Sequence, residues 1–169
     1  MRIMIFGLPG SGKTTFSFKL SRKVNLPLYH LDRYFYLANW QERNYDEFLR
    51  MQRELVAKDK WIIDGNCSKS FHIRYQRADI AIYFCYPRFL ALLRIIKRKF
   101  FSKKDNHIDD RAEGCDETIQ WSLIKYLWHY KSRFKEKIKQ LQSAYPKVQL
   151  YVVHNDKGLE KLMNILTQK

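Results

Sequence analysis

Short apolar runs alternate with longer amphipathic segments along this chain. The apolar runs predict five strands, over 2–6, 27–30, 61–64, 80–85 and 148–153. The segments between and after them repeat apolar residues at helical spacing, which predicts helices over 14–24, 45–58, 87–100, 117–142 and 158–166. Nearly continuous apolar strands that alternate with helices indicate an α/β fold, in which helices cover both faces of a parallel sheet.

Length and composition favour one cytoplasmic domain over residues 1–169. The chain contains no repeat or flexible linker, and its apolar start is too short for a signal peptide. The longest apolar stretch, 80–96, is interrupted by proline and arginine, so we expect no membrane span. The three cysteines of the chain, Cys67, Cys85 and Cys115, are widely spaced, which is typical of a reduced intracellular protein.

The first strand leads into Gly-Leu-Pro-Gly-Ser-Gly-Lys-Thr, which fits the phosphate-binding P-loop pattern. Glycines let backbone N–H groups approach phosphate oxygens, and the helix that follows directs its positive end at the same anion. We expect Lys13 to bind the β- and γ-phosphates of ATP and Thr14 to offer a hydroxyl to Mg²⁺. The predicted nucleotide-binding residues are Gly7, Pro9, Gly10, Ser11, Gly12, Lys13, Thr14 and Thr15.

Two further strand ends carry candidate site residues. Asp64 closes the third apolar strand, where P-loop proteins keep the acid that holds Mg²⁺ through water, and Asn66 follows as a candidate substrate contact. Asp32 and Arg33 follow the second strand, at the sheet edge where open α/β folds bind ligands. The aromatic residues that come next suit either a pocket for a planar base or a small helical insertion packed on the core.

Basic residues in and just after the predicted third helix complete the candidate site. Arg94 and Arg98 are four residues apart, so they share a helix face and can contact a transferring phosphoryl group together. The polar segment that follows is typical of a lid over a phosphate site, and Arg111 within it is a candidate substrate contact.

Taken in order, the P-loop, "LD" with its aromatic segment, "WIIDGN", "YPR", "RIIKR" and "AEGC" resemble the adenylate-kinase-like group. More narrowly, they resemble the bacterial proteins labelled DNA topology modulation proteins. The resemblance implies a nucleoside-monophosphate-kinase fold with a five-stranded parallel sheet, an acceptor-binding insertion at about 31–58 and a lid at about 101–116. It implies ATP and Mg²⁺, catalytic roles for Lys13, Arg94 and Arg98, and a match of Asp64 to the aspartate of the kinase "DGFPR" motif. The arginine of that motif has no counterpart after Asn66.

Three functions remain open at this point. The first is a kinase that transfers the γ-phosphoryl group of ATP to a small acceptor. Arg33 and the aromatics favour a nucleotide or nucleoside acceptor, whereas Asp32 lies where P-loop kinases of alcohols, such as shikimate kinase, keep an acidic residue. The second is an ATP-dependent nucleic-acid-associated protein, because the net charge is +15. The third is an ATP-binding module that docks a partner through the Trp-rich helix, although the spacing of Trp121, Ile124 and Trp128 predicts a core face instead.

Overall fold

The computed structural model describes residues 1–101 and 121–168. Its five strands are β1 Arg2–Gly7, β2 Leu28–His30, β3 Trp61–Asp64, β4 Ile80–Phe84 and β5 Gln149–Val153. They form one parallel sheet in the order β2-β3-β1-β4-β5. The five-stranded parallel sheet expected from the sequence is therefore confirmed, with each strand within one or two residues of its predicted bounds.

The described helices are α1 Lys13–Val24, α2 Leu31–Phe35, α3 Tyr45–Ala57, α4 Phe71–Tyr75, α5 Arg88–Phe101, α6 Trp121–Ala144 and α7 Asp156–Thr167. The pattern of apolar residues indicated five of them. It missed α2 and α4, because a helix of five residues is too short to show helical periodicity. The predicted lid and Arg111 lie outside the described residues, apart from Phe101 at the end of α5.

Alternate residues of the central strand supply the two halves of the core. Ile3 and Ile5 of β1 face the side covered by α1 and α7, whereas Met4 and Phe6 face the side covered by α3, α4 and α6. All four side chains are fully buried, as expected for a strand with helices on both faces. Because β1 lies in the middle of the sheet, the loop that follows it opens above the centre of the fold.

The long helix α6 corrects one expectation. Trp128, predicted to lie in the core, is 55% exposed and contacts the exposed ring of Phe89 on α5. The buried face of α6 is formed instead by Leu127, Tyr130, Phe134, Ile138 and Leu141. Consecutive residues of an α-helix point about 100° apart, so the burial of Leu127 directs the adjacent Trp128 away from the core. None of the helices in the described ranges combines the length and apolar content needed to cross a membrane.

An ion pair at the other end of β1 makes stability depend on pH. Nη2 of Arg2 donates to Oδ1 of Asp79 at 2.6 Å, and the backbone N–H of Arg2 donates to Oδ2 at 2.7 Å. These bonds lower the pKa of Asp79. A lowered pKa in the folded state stabilises the fold above the unfolded value, and this contribution is lost as pH falls through the folded value. Both side chains are partly exposed, so solvent screening keeps the contribution below about 1 kcal/mol.

We expect Asp79→Asn to lower the free energy of unfolding at neutral pH and to have a smaller effect at about pH 2. Urea titrations of both proteins at the two pH values measure this difference. Equal losses at both pH values would show that the charge of Asp79 is not what stabilises the contact.

Candidate active site

The loop between β1 and α1 has a backbone that only glycine can adopt at two of its positions. Gly7 has φ +144°, and a Cβ there would lie 2.5 Å from the carbonyl oxygen of Phe84. Gly10 has φ +74°, and a Cβ there would lie 2.6 Å from the carbonyl oxygen of Ala91 on α5. The loop is thus packed tightly against β4 and α5, and side chains are excluded from both contacts.

Hydrogen bonds inside the loop stabilise its conformation. The Ser11 hydroxyl is fully buried and donates to the carbonyl of Leu8 at 2.6 Å, and Lys13 Nζ donates to the same carbonyl at 3.1 Å. The first helical residue of α1 is Lys13, so the N–H groups at the start of that helix point towards the space that the loop encloses. The loop therefore presents both a lysine and a helix N-terminus to an anion.

A cleft of about 320 Å³ lies above the carboxyl ends of β1, β2 and β3. Four parts of the chain form its walls: the loop with the start of α1, the end of β2 with α2, the end of β3, and α5. The lining residues are Pro9, Gly10, Gly12, Lys13, Thr14, Thr15, His30, Leu31, Asp32, Asp64, Gly65, Asn66, Arg94, Ile95 and Arg98.

Asp64 lies at the base of this cleft and is 4% exposed. Its Oδ2 accepts a hydrogen bond from the Ser17 hydroxyl at 3.2 Å and lies 3.4 Å from Nδ1 of His30, without hydrogen-bond geometry in the second contact. Its Oδ1 is buried and has no hydrogen-bond partner among the described residues. A buried carboxylate oxygen without a partner, on a residue that lines the cleft, fits a water molecule bound to Mg²⁺.

The described residues contain no cluster of three His, Cys, Asp or Glu side chains able to hold a metal by themselves. This agrees with the usual Mg²⁺ site of nucleotide enzymes, where substrate phosphates and waters supply most ligands. Thr14 and Asp64 are the side chains that fit such a site here, since both line the cleft.

Arg94 reaches the loop from α5. Its Nη1 donates to the carbonyl of Ser11 at 3.1 Å, and its Nη2 donates to the carboxylate of Asp156 at 2.7 Å and 3.0 Å. Its guanidinium also lies over the ring of Tyr86 at 5.2 Å. The hydrogen bond from Arg94 lowers the pKa of Asp156, while burial and the bond to Asp156 raise the pKa of Tyr86 to about 12. Arg94 is therefore held beside the loop before any ligand binds.

The other predicted site residues divide into three groups. Asp32, Asn66 and Arg98 line the cleft. Gly7 and Ser11 are buried behind it, where they shape the loop. Arg33 is exposed on α2 and is not among the lining residues, and Arg111 lies outside the described residues.

Sequence reasoning missed three residues that support the site. His30 ends β2 directly before the predicted "LD" pair, and Asp156 begins α7 just after β5, so both occupy strand ends where site residues were expected. Arg74 stands in the apolar stretch "FHIRY", and a charged residue in such a stretch was a usable signal.

A P-loop on the central strand of a five-stranded parallel sheet, with arginines of a later helix beside it, defines the fold of the P-loop kinases. Two solved structures share this fold. Shikimate kinase from Bacteroides thetaiotaomicron is 16% identical with a TM-score of 0.56, over 99% of this chain and 96% of that one. Shikimate kinase from Aquifex aeolicus is 17% identical with a TM-score of 0.53, over 99% of this chain and 94% of that one.

No family model and no curated protein matches the chain. The comparisons therefore do not show the narrower resemblance to DNA topology modulation proteins. At such low identity the two solved structures establish the fold alone, and function has to be argued from the cleft.

Proposed function

We propose that this protein is an ATP- and Mg²⁺-dependent phosphotransferase that moves the γ-phosphoryl group of ATP to a hydroxyl group of a small acceptor. The observation that carries the proposal is that one cleft is lined both by the phosphate-binding loop and by an acidic residue able to accept a proton. Lys13 and Thr14 of the phosphate-binding loop form one side, and the carboxylate of Asp32 lines the same cleft from α2. The fold shared with two shikimate kinases supports a kinase of this general type.

The phosphate-binding loop forms the donor side of the cleft, where ATP would bind. Lys13 would exchange its bond to the Leu8 carbonyl for bonds to the β- and γ-phosphates, and Arg94 and Arg98 would stabilise charge that develops during transfer. When bound, Mg²⁺ would neutralise phosphate charge, with Thr14 and Asp64 as the protein groups at its site. Positioning and electrostatics account for most of the catalysis in such reactions.

The acceptor side favours a hydroxyl over a phosphate. Its described lining consists of His30, Leu31, Asp32 and Asn66, while the arginines of the cleft belong to α5 beside the loop. A phosphate acceptor would need cationic groups on its own side, whereas a hydroxyl acceptor needs a base. Asp32 would accept the hydroxyl proton as the acceptor oxygen bonds to the γ-phosphorus and the bond from that phosphorus to the β-phosphate oxygen breaks, releasing ADP.

The aromatic segment gives little support to a pocket for a nucleotide base. Phe35 packs on Phe48 of α3 at 5.1 Å between ring centres, and Tyr36 packs on Trp40 at the same separation. None of these rings lines the cleft. We propose that the insertion at about 31–58 carries the acceptor side, with its aromatic residues packing α2 and the following turn onto α3.

Measuring ADP release from Mg-ATP with a panel of acceptors tests the proposal. The panel contains small alcohols and hydroxy acids including shikimate, nucleosides, and the matching nucleoside monophosphates, with duplex DNA in a parallel series. We expect turnover with one class of hydroxyl compound and little with the analogue in which the reacting hydroxyl is removed or blocked. Turnover that requires a phosphate acceptor would overturn the hydroxyl assignment. ATP hydrolysis that appears only with DNA would favour the nucleic-acid-associated function instead.

A further inference from the structure

Behind the cleft lies an arginine that does not reach it. Arg74 of α4 is fully buried, and its guanidinium donates to the carbonyl of Gly65 at 2.8 Å and to the carbonyl of Asn66 at 2.7 Å. These two residues form the turn that leaves β3 directly after Asp64. Arg74 therefore holds, from the interior, the backbone of a turn whose other side faces the cleft.

Burying this charged side chain costs desolvation free energy. Among the described residues no carboxylate forms an ion pair with Arg74, and its Nε has no hydrogen-bond partner. The guanidinium lies over the ring of Phe71 at 5.0 Å, and burial lowers the pKa of Arg74 to about 10, so it stays charged at neutral pH. Buried charges seldom add to stability compared with an apolar residue of the same size. An apolar side chain could not bond to the two carbonyls of the turn, so orienting the turn is the contribution specific to Arg74.

The turn itself is linked to the phosphate-binding loop. Oδ1 of Asn66 accepts a hydrogen bond from the backbone N–H of Gly7 at 3.0 Å and from the Tyr130 hydroxyl at 3.3 Å. Gly65 N–H donates to the carbonyl of Ile5 at 3.1 Å, which fixes the start of the turn against β1. The side chain of Asn66 can reach Gly7 only while its own backbone keeps this orientation.

We propose that Arg74 is a positioning residue for the nucleotide site: by holding the carbonyls of Gly65 and Asn66, it directs the Asn66 side chain onto Gly7 and thereby fixes the first residue of the phosphate-binding loop. The inference rests on the proposed function in that this loop binds ATP. The competing explanation is that Arg74 only anchors α4 to the sheet. In that case its loss would lower stability without altering the loop.

Two measurements separate these explanations. The first is hydrogen exchange at the Gly7 amide in the ligand-free protein, followed by NMR. The second is the dissociation constant of a non-hydrolysable ATP analogue with Mg²⁺, obtained by calorimetric titration. We expect Arg74→Met to speed exchange at Gly7 and to weaken analogue binding by about three- to tenfold, the change expected from one lost hydrogen bond.

Two variants serve as controls. Arg77→Met removes an exposed arginine just after α4, whose side chain donates to the carbonyl of Val56 at 3.3 Å and forms no hydrogen bond with Gly65 or Asn66. Leu162→Ala removes a buried side chain of α7, on the opposite face of the sheet, and lowers the melting temperature without touching the site. We expect both to keep wild-type exchange at Gly7 and wild-type affinity for the analogue.

A double-mutant cycle tests whether Arg74 acts through Asn66. If it does, Asn66→Ala combined with Arg74→Met should bind the analogue no more weakly than the weaker of the two single variants. Additive losses would overturn the inference. If Arg74→Met does not fold, Arg74→Lys is read in the same way, because an ammonium group cannot span both carbonyls as a guanidinium does.

Different results would contradict the proposed function and the proposed role of Arg74. A wild-type protein that binds no ATP analogue would remove the proposed function, while exchange at Gly7 would still decide whether Arg74 positions the loop. A wild-type protein that binds the analogue, with an Arg74→Met variant that melts earlier but keeps wild-type affinity and exchange, would leave the proposed function standing and reduce Arg74 to an anchor of α4.

Discussion

Replacing Lys13 with alanine is expected to slow phosphoryl transfer by about a hundred- to a thousandfold, the usual cost of removing one preorganised charged or hydrogen-bonding group from a transition state. Lys13 Nζ already lies at the loop, 3.1 Å from the carbonyl of Leu8, so only a small movement would bring it to a bound phosphate. Single-turnover measurements with saturating Mg-ATP separate this loss in rate from any loss in nucleotide affinity.

Lys19→Ala is the matched control, because it removes the same charge from an exposed position of the same helix α1. We expect it to keep wild-type turnover. Circular dichroism and the melting temperature should be close to wild type for both variants, since Lys13 is only partly buried and Lys19 is exposed. If Lys13→Ala retained most of its activity, the loop would not be the donor site.

Replacing Asp32 with asparagine should lower kcat by about a hundredfold or more if this carboxylate is the general base. The substitution preserves the size of the side chain and removes its ability to accept a proton. Asp32 lines the cleft from the first turn of α2, whereas the proposed phosphate contacts belong to the loop after β1. We therefore expect the affinity for Mg-ATP to change little while kcat falls.

Asp59→Asn is the control for Asp32→Asn, because Asp59 is exposed in the turn before β3 and lies outside the cleft. The acceptor identified in the panel is used for both variants, and kcat is followed across pH. The wild type should lose activity at low pH as the base becomes protonated, whereas Asp32→Asn should show a much flatter profile. An unchanged profile in Asp32→Asn would assign the base to another group.

The parts of the structure that the sequence predicted are those where local pattern and global fold agree. The strands were predictable because continuous apolar runs fit a sheet covered on both faces, and the loop was predictable because its glycines and Lys13 have a fixed order. The proximity of Asp32 and Asp64 could be anticipated, since the parallel strands that they end or follow meet one edge of the sheet. Their roles in catalysis remain predictions.

Other features depend on packing that no local pattern encodes. Arg74 lies nine residues after Gly65, and only the fold of the short helix α4 brings its guanidinium back to that turn. The contact of Arg94 with Asp156 joins residues 62 positions apart on α5 and α7. Trp128 was misplaced for a related reason, because the exact rotation of α6 is set by the neighbours it packs against.

The two sides of the cleft are supported by separate parts of the fold, and this has a consequence for how the protein can evolve. The loop is confined between β4 and α5, where the contacts of Gly7 and Gly10 leave no space for a side chain. The proposed acceptor side is carried by α2, which packs on α3 through Phe35 and Phe48. The Arg43 side chain also joins the two helices, because it donates to the Tyr34 carbonyl and to the carboxylate of Glu47. Under the proposed function, substitutions that reshape α2 and α3 would change the preferred acceptor and leave the phosphate-binding loop unchanged, so that related chains with the same loop would diverge in the compounds they phosphorylate.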